Sequence, residues 1–115
     1  MKLIQKQKLF AILVGRLLED LEHLGYECSL GEAWRPPETA EAYAKDGRGI
    51  SNSLHTKRLA IDLNLFKDGK FLTRTVDYQK AGEHWESFSQ EEFTCVWGGR
   101  FGDGNHFSIE HEGVR

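Results

Sequence analysis

The sequence predicts an α+β fold: a small antiparallel sheet with helices packed on one side. Three observations predict it. Leu9 to Leu24 repeats its apolar residues at helical spacing. Leu59 to Phe66 and His106 to Glu110 alternate apolar and polar residues with the period of a half-buried strand. Lys67-Asp68-Gly69-Lys70 has the Asp-Gly chemistry of a hairpin, which returns a strand against itself. A chain of 115 residues supports one domain with one modest core, and residues 1–115 are expected to form it.

The elements follow in order. Phe10, Leu13, Leu17, Leu21 and Leu24 make a helical stripe that Leu9, Ile12, Val14 and Leu18 widen, and Gly25 is a good stop. Tyr26 to Trp34 is expected as a strand. Arg35-Pro36-Pro37-Glu38 is expected to be extended, because each proline restricts the residue before it. A short helix should begin at Glu38 or Thr39 and run through Tyr43 and Ala44. Asp46 to Asn52 is a polar loop. Leu59 to Phe66 is the central strand, and Phe71 to Thr73 should pair back on it. Tyr78 to Phe88 is a second amphipathic helix with Ala81, Trp85 and Phe88 inward. Glu91 to Trp97 leads into a flexible Gly98-Gly99-Arg100-Phe101-Gly102 loop, and His106 to Glu110 is the last strand. The chain has no repeats, low-complexity segments or linker.

Composition excludes several classes of function. With 39% hydrophobic and 29% charged residues the chain is globular and soluble in type. A net charge of -3 argues against nucleic acid as a partner. The apolar run Leu9 to Val14 is too short for a signal segment or a membrane span, so no stable membrane insertion is expected. Cys28 and Cys95 could form one bridge, but two reduced thiols are the expected state.

The two alternating strands also carry the chemistry. Leu59, Ile61, Leu63 and Leu65 point one way, so Asp62 lies on the opposite face, with small Ala60 beside it. His55 stands in the loop that enters this strand. On the last strand Phe107 and Ile109 face one way, and His106, Ser108 and Glu110 the other. If the strands are neighbours, His55, Asp62 and His106 converge. Two imidazoles and one carboxylate leave an open position for water, which makes Zn2+ the natural occupant. Asp103, three residues before His106 in a Gly-flanked turn, would stand close by without being a ligand. Asp-Gly turn chemistry alone would explain its loop but not its spacing to His106. Among the other candidates, His23 and His84 are expected on the surface or packed, and His111 is expected to face away. Glu110 could orient an imidazole. Trp97 and Phe101 could wall a cleft or fill the core.

These segments resemble the signatures of the D-alanyl-D-alanine peptidase family, and within it the small phage-type L-alanyl-D-glutamate endopeptidases (endolysins). The family's first motif is Ser-x-His, six residues, then Asp, with Ala two before the Asp; Ser53, His55, Ala60 and Asp62 match it. The second is an acidic residue, two residues, then His, matched by Asp103 and His106. The first motif usually has Gly where this chain has Arg58. The likeness runs from Arg35 to about Glu110. It implies a hedgehog/D-Ala-D-Ala peptidase-like fold and a zinc peptidase acting on peptidoglycan stem peptides, expected at the L-Ala–D-Glu bond. It implies His55, Asp62 and His106 as metal ligands and Asp103 as the group that moves the proton. Arg35 would bind substrate and stabilise the oxyanion, and Ser53 would hydrogen-bond substrate. Alternatives are a D-Ala-D-Ala carboxypeptidase or dipeptidase and a metal- or wall-binding module without activity, which would not need Asp103. A monomer is expected, held in the cytoplasm until released to the wall.

Overall fold

The computed structural model describes residues 1–115. Three helices and five strands form it: α1 (Leu3–His23), β1 (Glu27–Leu30), α2 (Pro37–Lys45), β2 (Ala60–Lys67), β3 (Lys70–Phe71), α3 (Gln79–Glu86), β4 (Cys95–Trp97) and β5 (His106–Ile109). The sheet is antiparallel throughout, in the order β1-β2-β5-β4, with β3 paired to β2. The α+β expectation therefore holds.

The register explains the two faces. Ile61 pairs with Phe107, and Trp97 with Phe107, so these residues share a face. Together with Leu59, Leu63, Leu65, Cys95 and Ile109 they are buried against Phe10, Leu13, Leu17 and Leu21 of α1 and Ala81 and Trp85 of α3. Each of the largest of these side chains is expected to contribute about 1.5–3 kcal/mol of burial. Trp85 meets Phe10 edge-on at 5.7 Å and donates its indole N–H to Ser108 O at 3.0 Å. The opposite face carries Asp62 and His106, which are register partners.

Several boundaries differ from expectation. α1 begins at Leu3, six residues earlier than the apolar periodicity starts. Lys and Gln are good helix formers, and Gln5 Oε1 accepts the Lys2 N–H at 2.8 Å, closing the first turn. Ile12 and Leu24 are exposed, so the buried stripe is narrower than expected. β1 is short as a regular strand: beyond Leu30 the chain stays beside β2, with Gly31 N–H bonded to Asp62 O at 2.7 Å and Asp62 N–H to Glu32 O at 2.9 Å, but the regular register ends at Leu30–Leu63. Pro37 is the first residue of α2 rather than extended, since a proline there lacks only an N–H that the helix would leave unpaired. β3 has two residues, and the turn before it places Asp68 and Gly69 at φ 53° and 75°, as a type I′ hairpin requires. α3 is shorter than expected, preceded by a 3₁₀ turn at Thr75–Tyr78. Gly98–Phe101 is an ordered 3₁₀ turn, and β5 stops at Ile109. Cys28 and Cys95 are unpaired, on strands at opposite edges of the sheet. Burial pushes the Cys95 thiol up to about 12, so it stays protonated and inert. No helix is long and apolar enough to cross a membrane.

Candidate metal centre

His55 comes to the site through a 3₁₀ turn, Leu54–Lys57. Ser53 caps it, its Oγ accepting the His55 N–H at 3.2 Å. The turn ends at Arg58 with φ 56°, the left-handed conformation that glycine adopts at no cost. Arg58 accepts it with its guanidinium stacked 4.5 Å from the Trp34 ring. His55 is thereby buried and aimed across β2.

On β2 and β5, Asp62 and His106 stand side by side. Asp62 Oδ1 lies 3.3 Å from His55 Nε2 and 3.7 Å from His106 Nδ1. The two imidazole rings meet edge-on, 5.2 Å between centres. One ligand atom from each of the three residues falls within 4.8 Å of the others. Two donors about 2.1 Å from one tetrahedral ion sit about 3.4 Å apart, so these separations suit a shared ion better than direct hydrogen bonds. A second observation agrees. Native interiors pair their polar atoms, yet four buried side-chain atoms here have no partner: His55 Nδ1, Asp62 Oδ1, His106 Nε2 and Ser108 Oγ. One of the four, Asp62 Oδ1, is the atom that both imidazoles face; His55 Nδ1 and His106 Nε2 are the other nitrogens of those rings, since His55 Nε2 and His106 Nδ1 are the ones beside Asp62. The donor set fits zinc.

Asp103 stands where its spacing suggested, Oδ2 3.8 Å from His106 Nδ1. The turn that presents it is tightly held. Asp103 N–H donates to Gly98 O at 2.8 Å, His106 N–H to Asp103 O at 3.2 Å, and the Trp97 indole to Gly104 O at 2.7 Å. Trp97 is thus a core residue that also anchors the turn, whereas Phe101 is exposed with its ring 5.8 Å from His106, at the cleft wall. Gly98 matters for the same reason. A Cβ there would fall 2.2 Å from Asp103 O and 2.6 Å from His106 Cβ, so only glycine lets the turn close.

Burial pushes the Asp62 carboxyl up, but the His106 and His55 imidazoles outweigh it and hold it at about 2. Burial raises Asp103, which the charge of Asp62 reinforces and that of His106 opposes. An NMR titration of the metal-free protein should therefore separate the two carboxyls, Asp62 with a midpoint near 2 and Asp103 above 3.8. A folded value below the unfolded one stabilises the fold fully above about 3.8, and this contribution is lost as pH falls through about 2. Coincident midpoints would contradict the geometry.

The cleft around these groups has a volume of about 290 Å³, and Arg35, Arg48, Ser53 and Arg115 also line it. Arg35 is half-committed already: its Nε (2.9 Å) and Nη2 (2.5 Å) both donate to Glu32 Oε1. The same Glu32 oxygen lies 3.6 Å from His55 Nδ1, so one carboxylate backs both an imidazole and a guanidinium. The Tyr43 ring meets two cations, Arg35 at 4.9 Å and Arg48 at 4.4 Å from its centre. Glu32, Arg48 and Gly98 were not among the sequence candidates. The Gly98-Gly99 pair was a visible signal of close approach, but nothing in the sequence marked Glu32 or Arg48.

The remaining candidates lie elsewhere. Glu110 accepts a bond from Lys6 through its carbonyl and has no contact with His106, because β5 ends before it. His111 lies 3.2 Å from Lys6 Nζ. His84 pairs with Asp20 at 2.7 Å, and His23 is exposed.

Residues 46–109 match a family model described as D-alanyl-D-alanine carboxypeptidase. The matched span covers more than half of the chain and includes His55, Asp62, Asp103 and His106; Arg35 precedes it. No curated protein matches the chain.

Proposed function

The chain belongs to the D-alanyl-D-alanine carboxypeptidase family, and on that premise we propose that it is a zinc peptidase that hydrolyses the L-Ala–D-Glu bond of peptidoglycan stem peptides. Family membership and the His–Asp–His group support the coarser statement, a metallopeptidase acting on peptidoglycan. The observation that carries the reading is the meeting of His55, Asp62 and His106 around one point with Asp103 beside it.

Zinc held by these three side chains would supply a Lewis acid for the scissile carbonyl and lower the pKa of the attacking water. The chain's own groups do the rest. Asp103 takes the proton of the attacking water and delivers it to the amine as the C–N bond breaks, leaving a carboxylate on L-Ala and a free amino group on D-Glu. Its raised pKa suits it to both halves of that transfer. Arg35 lines the cleft while Glu32 engages its Nε and Nη2, which leaves Nη1 to meet the developing oxyanion. Ser53 fixes the turn that carries His55 and lines the cleft, where its hydroxyl is available to a substrate amide.

The arginines support the choice of bond. In the stem peptide D-Glu is linked through its side-chain carboxyl, so a free α-carboxylate sits next to the scissile bond. Arg48 pairs only with exposed Asp46, at 2.9 Å, an exchange that costs little in water. Arg48→Gln should therefore raise KM for stem peptides about tenfold with a smaller change in kcat. It should do so much less for peptides carrying an amide in place of that carboxylate. Equal effects on both substrates would remove Arg48 from carboxylate recognition. Arg35→Lys should lower kcat, since a lysine cannot hold Glu32 with two donors and still face the cleft.

The family description favours a second reading, removal of the terminal D-Ala, whose carboxylate would also suit an arginine. Digestion of purified peptidoglycan with identification of the new termini separates the two. New N-terminal D-Glu supports our proposal, and release of D-Ala alone replaces it with the carboxypeptidase.

A further inference from the structure

β2 shares one of its edges with two strands in succession. Ala60 to Asp62 pair with β5, and Phe66 and Lys67 pair with β3. The bonds Leu63 N–H to Asn105 O (2.9 Å) and Leu72 N–H to Leu65 O (2.8 Å) close the two ladders on either side of Asn64. A notch is left at Asn64, on the face that carries Asp62. Its cavity measures about 310 Å³ and is lined by Asn64, Phe71, Thr73, Arg74, Thr75 and Asn105. That volume lies at the lower end of small-molecule sites, which span about 300–1,000 Å³. Gly102 and Gly104 line it too. The Asp103 turn is therefore the partition between this cavity and the cleft of the three ligands. Asn64 follows Asp62 by two residues on one strand face, a separation of roughly 6–7 Å.

The two cavities differ in chemistry. The cleft is lined by Arg35, Arg48 and Arg115. In the notch the one cation, Arg74, is held by both carboxylate oxygens of Asp77, at 3.0 and 3.4 Å. What remains is neutral. The Tyr78 hydroxyl is committed, accepting from Leu65 N–H and donating to Leu72 O, and the Asn64 amide donates to Ser29 Oγ at 3.2 Å, which leaves its carbonyl oxygen, the Asn105 amide and the hydroxyls of Thr73 and Thr75 to face a ligand. Phe71, exposed and packed at a tilt against Phe66 with 5.3 Å between ring centres, adds an apolar platform at the rim. Neutral donors and acceptors beside an open ring suit an N-acetylated sugar rather than an anion.

We propose that the notch is a sugar subsite that takes the N-acetylmuramyl residue bearing the stem peptide. The inference rests on the L-Ala–D-Glu reading above. L-Ala is joined directly to the lactyl group of that sugar. Cleavage after L-Ala therefore keeps the sugar one residue from the reacting carbonyl, about 3.3–3.6 Å of chain plus the lactyl link. This matches the step from Asp62 to Asn64. Cleavage between the two terminal D-Ala residues would put the sugar four residues away, on the order of 14 Å. The substrate's direction follows: sugar and L-Ala lie on the Asn64 side of Asp103, and D-Glu with its carboxylate lies toward Arg48.

The test has two arms. In the first, the ¹⁵N-labelled full chain is titrated with the uncharged N-methylamide of N-acetylmuramyl-L-alanine, and with the same alanine derivative lacking the sugar. The sugar-bearing probe should shift the amide signals of Thr73, Thr75 and Asn105 saturably, and the sugar-free probe should not. No shift there overturns the proposal whether or not the protein hydrolyses anything. In the second, kcat/KM is compared for a stem tetrapeptide with and without its disaccharide. The parent should favour the sugar-bearing substrate at least tenfold, and Thr73→Val and Asn64→Leu should each bring that ratio toward one. A parental ratio near one overturns the subsite and leaves the peptidase reading intact. Shifts at Thr73 and Thr75 without L-Ala–D-Glu cleavage keep the sugar site and overturn the choice of bond.

Discussion

His106→Ala should yield a folded protein that no longer retains zinc and has no measurable peptidase activity. The fold should survive because His106 contributes little that the sheet depends on. Its backbone remains paired with Asp62, its Nε2 has no hydrogen-bond partner to lose, and its neighbours Phe107 and Ile109 carry the core. The metal should not survive. Removing one of three protein ligands leaves Asp62 and His55 to hold the ion with two donors, fewer than the three that catalytic zinc sites use. Metal analysis after dialysis should give about one zinc per parental chain and a small fraction of that for the variant. Circular dichroism should show the helices of both. A variant that keeps one zinc per chain would remove His106 from the ligand set.

The face on which Asp62 and His106 lie was legible because alternation along a strand is local. Leu59, Ile61, Leu63 and Leu65 had to share a side, which left Asp62 on the other, and the same logic placed His106 opposite Phe107. Pairing β2 with β5 then needed only that the two polar faces coincide, and the register sets Asp62 against His106 directly. The hairpin return was legible from Asp68-Gly69, though β3 spans Lys70–Phe71 rather than Phe71 to Thr73; the order of the sheet and the extent of its strands were not. Both depend on which edge of β2 each strand finds, and that is decided by tertiary packing rather than by pattern.

The parts of the site that escaped the sequence are those brought in by long-range contacts. Glu32 follows a strand and precedes two prolines, where a surface charge is unremarked. Only its place beside β2, with Asp62 N–H bonded to Glu32 O at 2.9 Å, sets its carboxylate behind His55 and Arg35. Arg48 sits in a polar loop, and its partner Tyr43 is on the preceding helix, so the contacts of Tyr43 with both Arg35 and Arg48 exist only once α2 is docked beside the cleft. The sequence places Gly98 in a flexible loop. In the fold it is a point of contact, where the backbone of one turn passes the Cβ of His106 with no room for a side chain.

Asp103→Ala should keep the metal and the fold yet lose about 10²–10⁴-fold in kcat, the usual contribution of a positioned acid–base group. Metal retention is expected because Asp103 lies outside the ligand set. Its nearest oxygen is 3.8 Å from His106 Nδ1, and its side chain is half exposed rather than enclosed with the three ligand atoms. The turn should persist as well, since it is held by backbone bonds from Asp103 N–H to Gly98 O and from His106 N–H to Asp103 O. Substrate affinity should change little, so the loss should fall on kcat rather than KM. Asp103→Asn sharpens the test. It preserves size and polarity and removes only the proton-carrying function, so a fall close to that of the alanine variant assigns the effect to proton transfer. Asp103→Glu should recover part of the rate, limited by a carboxylate displaced along the cleft. If Asp103→Asn is as active as the parent with its zinc intact, Asp103 is a turn residue and the proton moves by another route.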